Sequence, residues 1–491
     1  MNIRISILII SALSLSCSKD KSIPDPEKLD NVTADIAITV NVNEVVRPLT
    51  GNEVGININY LMDDAVITGN TYSRTAEGIK QMGAKILRYP GGEKSDNYLF
   101  SSSPYTSAAP KAAFCTFPAS DTRFYNSDMS AKSIVLDFDE FMLVCNRAQA
   151  IPLIVVPYDA IYSPWTCGPK PTKAQLIEHA KEWVRYANIT RNHNIKLWMI
   201  GNESFLESSY NGFTTPALYA LDIVEFADAM RSVDPTIKII ANGKSNWWSV
   251  LLNSPARSKI DYLAVSNYLS STISSYDNFR TSTQSLNLET DQAISAIENI
   301  PDATDRNRIN VIESEFNSID FSGGWASGND LGHALANFKM LGDALLKPKV
   351  FNACLWNTHW IENNQQHLYD ALNTSGGLNA TGLSLSVFGN NLLSSMVRTS
   401  GGSNIVNSYA SFNADTKTLN VFLLNKELFP KKVTISFANY LSAFSYDKWE
   451  FKGSGAQDKS PVWGKVSSNQ TGGLSLELTL PANSVTMLSC K

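Results

Sequence analysis

Two short stretches carry the residues best suited to chemistry. LWMIGNESF (Leu197–Phe205) is an apolar run that stops at Gly201, Asn202 and Glu203, and INVIESEFN (Ile309–Asn317) brings Glu313 and Glu315 to the end of another. A carboxylate in an apolar setting is costly unless it is partnered, so charges at such places are kept because something uses them. Two carboxyl groups facing each other across a cleft can split a glycosidic bond. One protonates the leaving oxygen, and the other attacks the anomeric carbon or activates water. By the period of two of a strand, residues 311, 313 and 315 share a face, which predicts that Glu313 and Glu315 point the same way with Glu315 nearer the rim.

The elements that must hold these groups alternate regularly. GNEVGININY, AKILRYPGG, IPLIVVPYDA, IKLWMIGNE, IKIIANG, IDYLAVSNYL, INVIESEFN and VFNACLWNTHW are eight short apolar runs, each followed by a helical period or by enough chain to hold one. Near-continuous apolar strands between helices imply a parallel sheet, and eight of them imply an α/β fold, a (β/α)8 barrel over residues 50–397. Catalytic groups in such a barrel sit at the C-terminal ends of strands. Glu203 ends the fourth strand and Glu315 the seventh. From residue 398 to 491 the pattern changes to short alternating strands with turn residues, which predicts a C-terminal all-β sandwich. Residues 37–49 also alternate and are expected to add a strand to it.

The polar stretch from Glu93 to Lys132 follows the second strand and holds Cys115. It is long enough for a functional loop and is expected to wall the cleft. Tyr89, Tyr158, Trp165, Trp247, Trp248, Trp356 and Trp360 lie near strand ends, where an aromatic ring either packs in the core or stacks on a sugar. His359 ends the eighth strand and faces the same two alternatives.

Several function classes find no support. The formal net charge of −5 and the lack of a long basic run leave a nucleic-acid partner without an electrostatic footprint. No C-x-x-C or H-E-x-x-H spacing is present and the five histidines are scattered, so neither a metal nor another cofactor is expected. NGKS (Asn242–Ser245) is not a phosphate loop, because that motif needs glycine where the chain has Lys238. Cys145 and Cys354 sit in apolar elements as buried thiols. Cys115 and Cys167 lie in polar stretches, where a disulfide and two free thiols are equally open.

Residues 1–17 combine a positive start, an apolar stretch too short to span a bilayer and small residues before Cys17, which is the pattern of an export signal. The segment resembles a bacterial lipoprotein signal, with lipidation at Cys17, the outer membrane as destination and the lipid as the only membrane contact. An ordinary cleaved signal is the alternative. Residues 18–36 are polar and proline-bearing, as a flexible tether would be, and their Ser-Lys-Asp start resembles surface-export signals of Bacteroidetes lipoproteins.

Asn202-Glu203 ending the fourth strand and a glutamate ending the seventh are similar to glycoside hydrolases of clan A, a group of retaining enzymes. LRYPGG (Leu87–Gly92), GNE (Gly201–Glu203), SEFN (Ser314–Asn317) and the terminal β domain resemble family 51, the α-L-arabinofuranosidases, and neighbouring families 39 and 79. The resemblance implies Glu203 as acid/base and Glu315, rather than Glu313, as nucleophile. It implies Asn202 as a contact of the hydroxyl beside the anomeric carbon, and Tyr268 and Arg88 as partners of Glu315. Substrate contacts are further expected from Glu93, Trp356 and His359. Two departures bear on the sugar. Glu93 stands where family 51 has asparagine after its Pro-Gly-Gly, and Ser266-Asn267-Tyr268 stands for its His-x-Tyr, so only Tyr268 carries over.

The sequence therefore predicts a retaining glycoside hydrolase of the arabinofuranosidase type acting on a poly- or oligosaccharide. The alternatives are an endo-acting polysaccharide hydrolase, a β-glycosidase or glucuronidase of a related family, and a surface lipoprotein that binds glycans without cutting them.

Overall fold

The computed structural model describes residues 36–63, 74–164, 168–206, 213–326, 328–360 and 368–491. Cys17, the signal and the tether over 18–35 lie outside the described residues, as do Trp165 and Cys167. Among the described residues no helix is long and apolar enough to cross a membrane.

Eight strands close into a barrel in chain order: Val54–Asn57, Ile86–Tyr89, Ile151–Val156, Leu197–Ile200, Lys238–Asn242, Tyr262–Tyr268, Asn310–Asn317 and Val350–Leu355. Every neighbouring pair is parallel, including the closing pair of eighth and first strands. Side chains of alternating residues fill the interior, among them Ile86, Leu153, Met199, Ile240, Ala264, Ile312 and Cys354. The opposite faces pack on the surrounding helices, with Leu87, Ile154, Trp198, Val265 and Val311 in that larger core. This two-sided burial is the reason the strands read as continuous apolar runs.

The helices start where their sequences say they should. Asp137 and Thr172 cap the helices Phe138–Ala148 and Lys173–Val184 with full capping boxes, and Thr215 precedes a proline at the first turn of Pro216–Arg231.

The C-terminal domain is one continuous sheet of nine strands rather than two separate sheets. Its inner core joins residues from strands far apart in the sheet order, such as Val421, Leu488, Val40 and Ile435, so the sheet curls over its own apolar face. Ile36–Pro48 lies between Ser395–Gly401, antiparallel, and Lys431–Ala438, parallel. The sheet reaches the barrel through Tyr409, whose ring packs against Gly342 on the helix Leu331–Leu345 and whose hydroxyl donates to Asp343 at 2.8 Å.

Candidate active site

The seventh strand shows how the sequence pattern was misleading. Glu313 pairs with Val265 and Glu315 with Ser266, so Ser314 is an extra residue, a β-bulge. Regular alternation from the inward Ile312 would turn both Glu313 and Glu315 outward; the bulge returns Glu315 to the interior. The expectation that the two glutamates share a face is thus corrected. Glu313 is fully buried on the helix side, where it accepts from Asn287 at 2.8 Å and Thr290 at 2.6 Å, and burial pushes its carboxyl up to about 7. The bulge is tied to the first strand, because Asn57 Nδ2 donates to the Ser314 carbonyl at 2.9 Å.

Glu315 is almost wholly buried and held by two donors. Arg88 Nη1 lies 2.8 Å from Oε1 and the Tyr268 hydroxyl 2.6 Å from Oε2. Arg88, fully buried on the second strand, also donates to Asn57 Oδ1 at 2.7 Å and to Asn202 Oδ1. One guanidinium therefore joins the first, second, fourth and seventh strands, and its fixed fork suits that role.

Glu203 leaves the fourth strand through a tight loop in which Gly201 has φ 69° and Glu203 φ 47°, both left-handed. A side chain at Gly201 would meet Ser204 Oγ at 2.7 Å and Asp159 Oδ2 at 2.9 Å, so the loop needs glycine there for space as well as for backbone angle. Burial pushes the Glu203 carboxyl up to about 8, and the charges of Glu315 and Glu93 add to the effect; a hydrogen bond with Ser266 and the charge of Arg88 oppose it. The two candidate carboxyls thus have opposite surroundings. Glu315 accepts from the Arg88 cation and from the Tyr268 hydroxyl, whereas Glu203 is driven toward its neutral form.

Both open onto a cleft of about 600 Å³ lined by Glu93, Lys94, Phe117, Tyr268, Phe321, Trp356 and Trp360 among others. A second cavity of about 480 Å³ shares Glu203 and Tyr268 with it and continues past Ser266, Phe205, Lys244 and Glu289. Phe117 comes from the long loop after the second strand, and Asn97 braces that loop by pairing with both backbone groups of Phe114, at 2.9 and 3.1 Å. Cys115 in the same loop is disulfide-bonded; Cys145, Cys354 and Cys490 are free and buried.

Of the predicted contacts, Asn202, Arg88, Tyr268, Glu93 and Trp356 gather at or beneath the cleft. His359 does not: its Nδ1 pairs with Asp63 at 2.6 Å and its Nε2 meets the Asn373 carbonyl at 3.5 Å, so both ring nitrogens serve the packing behind the eighth strand. Trp356 and Trp360 reach the cleft. Tyr89, Tyr158, Trp247 and Trp248 are buried in the core. Sequence reasoning missed Asn57, Lys94, Ser266, Phe117 and Phe321. Lys94 sits 5.1 Å from the centroid of the Trp356 ring, whose edge lies so close to Gly92 that a side chain at residue 92 would meet it at 2.1 Å. Among the described residues no cluster of three or more metal-ligating side chains occurs.

Comparison with solved structures places this arrangement in a known architecture. An α-L-arabinofuranosidase from Thermotoga maritima in complex with arabinose superposes with a TM-score of 0.73 at 20% identity, over 92% of this chain and 99% of the other. The fold is that of the family 51 α-L-arabinofuranosidases. A thermostable family 51 arabinofuranosidase from Thermotoga petrophila gives 0.71 at 19% identity, over 93% and 100% of the two chains. The family 44 xyloglucanase of Paenibacillus polymyxa is more distant, at 0.61 and 12% identity over 93% and 99%. In sequence, an intracellular exo-α-(1→5)-L-arabinofuranosidase of Acetivibrio thermocellus is 25% identical over 211 residues, which are 39% of this chain and 38% of that protein. No family model matches the chain. The resemblance that three short motifs carry in the sequence extends to the arabinofuranosidase fold over more than nine-tenths of the chain.

Proposed function

We propose that the protein is a retaining glycoside hydrolase of the arabinofuranosidase type that acts on an oligo- or polysaccharide. The observation that carries this reading is the pairing at the barrel mouth of a donor-held Glu315 with a Glu203 kept neutral by burial. In the proposed reaction a Glu315 oxygen attacks the anomeric carbon while Glu203 gives its proton to the departing glycosidic oxygen. The bond from Glu315 to the sugar is then broken by water, whose proton returns to Glu203. Asn202, fixed by Arg88, meets the hydroxyl next to the reacting carbon. The leaving part lies in the second cavity, which shares Glu203 with the first and gives room for a saccharide rather than a small alcohol.

The first test is hydrolysis of a panel of aryl glycosides led by the α-L-arabinofuranoside, together with reducing-end release from arabinose-containing polysaccharides. Because Glu203 must be protonated to act, kcat/KM is expected to fall as pH rises through about 8. In Glu203→Ala that limb disappears and azide restores turnover, giving a glycosyl azide of retained configuration. Glycan binding without turnover on any substrate would replace the enzyme with a binding protein. Trp356→Ala is expected to raise KM by about 30-fold, or ~2 kcal/mol, as for a central aromatic anchor, with little change in kcat; an unchanged KM would remove the ring from the sugar site. Export and lipidation at Cys17 complete the proposal, and incorporation of labelled palmitate that is lost in Cys17→Ala is the result expected.

A further inference from the structure

Behind the Glu203 loop two carboxyl side chains meet in the interior. Asp96 is 1% exposed and Asp159 0%. Asp96 Oδ1 accepts the backbone N–H groups of Tyr158 and Asp159, both at 3.1 Å. Asp159 Oδ2 accepts the Ser204 hydroxyl at 2.8 Å, and the same side chain takes the backbone N–H of Asn202. The remaining oxygen of each, Oδ2 of Asp96 and Oδ1 of Asp159, is buried and meets no donor among the described residues, while the two side chains lie within hydrogen-bonding reach of each other. Ionised carboxylates only accept. A direct bond between two of them requires that one carry a proton.

We propose that Asp96 and Asp159 share a single proton in a carboxylic acid–carboxylate hydrogen bond that fixes the Gly201–Ser204 loop and so aims Glu203 into the cleft. The loop needs such a fastening, because a glutamate with φ 47° is held against its own backbone preference. Asn242 supplies the other fastening: its Oδ1 accepts the Ser204 N–H at 2.8 Å and its Nδ2 donates to Ser204 Oγ at 3.1 Å. With the proton in place, Asp159 has one oxygen for the loop and one for Asp96. Without it, two like charges face each other in the interior and the tie to Ser204 and Asn202 is strained. The groups that face the pair are Arg88, which favours ionised Asp96, and the phenols of Tyr158 and Tyr219; burial outweighs them and pushes both carboxyls up. Neither aspartate lines the cleft, so both are positioning residues.

The test rests on the proposed role of Glu203 for its activity arm only. Asp96→Asn places an amide whose oxygen takes the two backbone N–H groups and whose nitrogen donates permanently to Asp159. It is expected to keep most of the wild-type kcat/KM, whereas Asp96→Ala loses about 10²-fold, as misplacement of a catalytic group does. The second arm is denaturant unfolding from about pH 5 to 8. A carboxyl raised above its unfolded value makes the folded state bind more protons, so stability falls as pH rises. The wild type should release one proton more on unfolding than Asp96→Asn, and its stability should fall correspondingly faster. Equal slopes, or an Asp96→Asn protein as impaired as Asp96→Ala, would overturn the shared proton. Should Asp96→Asn not fold, Asp159→Asn makes the same comparison from the other side. A proton difference in a protein that cleaves no glycoside supports the pair and removes the hydrolase reading alone.

Discussion

Glu315→Gln is expected to lose on the order of 10⁴-fold or more in kcat/KM on whichever glycoside the enzyme cleaves, about 5 kcal/mol of transition-state stabilisation. The amide matches the carboxylate in size; its oxygen can still accept from Arg88 while its nitrogen donates to the Tyr268 hydroxyl oxygen, so the loss reports chemistry rather than collapse of the site. Glutamine has no charge to place on the anomeric carbon. The same change removes the neighbouring charge that helps to raise the Glu203 carboxyl, so that group should titrate lower in the variant, a shift that carboxyl-resolved NMR can follow. A variant that kept a tenth of the wild-type rate would dismiss Glu315 as nucleophile. Glu313 could not take its place, since it points into the helix layer with Asn287 and Thr290.

Arg88→Met should cost both stability and rate. Arg88 is fully buried and its charge is matched by Glu315. Removing one partner of a buried ion pair leaves the other uncompensated, typically about 3–5 kcal/mol. The variant also releases Asn57 and Asn202, which the same fork aligns, and a misplaced nucleophile adds about 10²-fold in kcat. Arg88→Lys should recover little of either, because the single ammonium nitrogen has no planar fork with which to hold, from two separate nitrogens, Asn57 and Glu315 on one side and Asn202 on the other. Denaturant unfolding showing a loss below about 1 kcal/mol would mean that Glu315 is stabilised by groups other than this guanidinium.

How much of this was legible in the sequence depends on whether a property is local or collective. The eight barrel strands could be read because each is buried on both faces and announces itself as an apolar run, and the capped helices between them have local signals of their own. Glu203 and Glu315 stood out as charges where charges are costly. The orientation of Glu313 was not legible, because alternation holds only while the ladder is regular and the pairing with Val265 and Ser266 is a fact about the neighbouring strand. His359 looked like Trp356, two polar-capable rings beyond one strand, yet Asp63 captures the histidine while the tryptophan lies over Gly92. Lys94 and Phe117 reach the cleft through a loop whose course is set by Asn97 and by backbone contacts, none of which leaves a periodic trace.

The extra residue at Ser314 turns the site into a question of parity. From Ile312, which faces the barrel axis, to Glu315 the count is odd, and an unbroken strand sends odd steps outward. A related chain one residue shorter between these two positions would aim its glutamate inward with a plain strand. A chain of the same length must carry the bulge, together with a group such as Asn57 to receive its displaced carbonyl. Counting from the last core residue to the carboxylate therefore tells, for each such sequence, whether the nucleophile is delivered by a straight ladder or by a broken one.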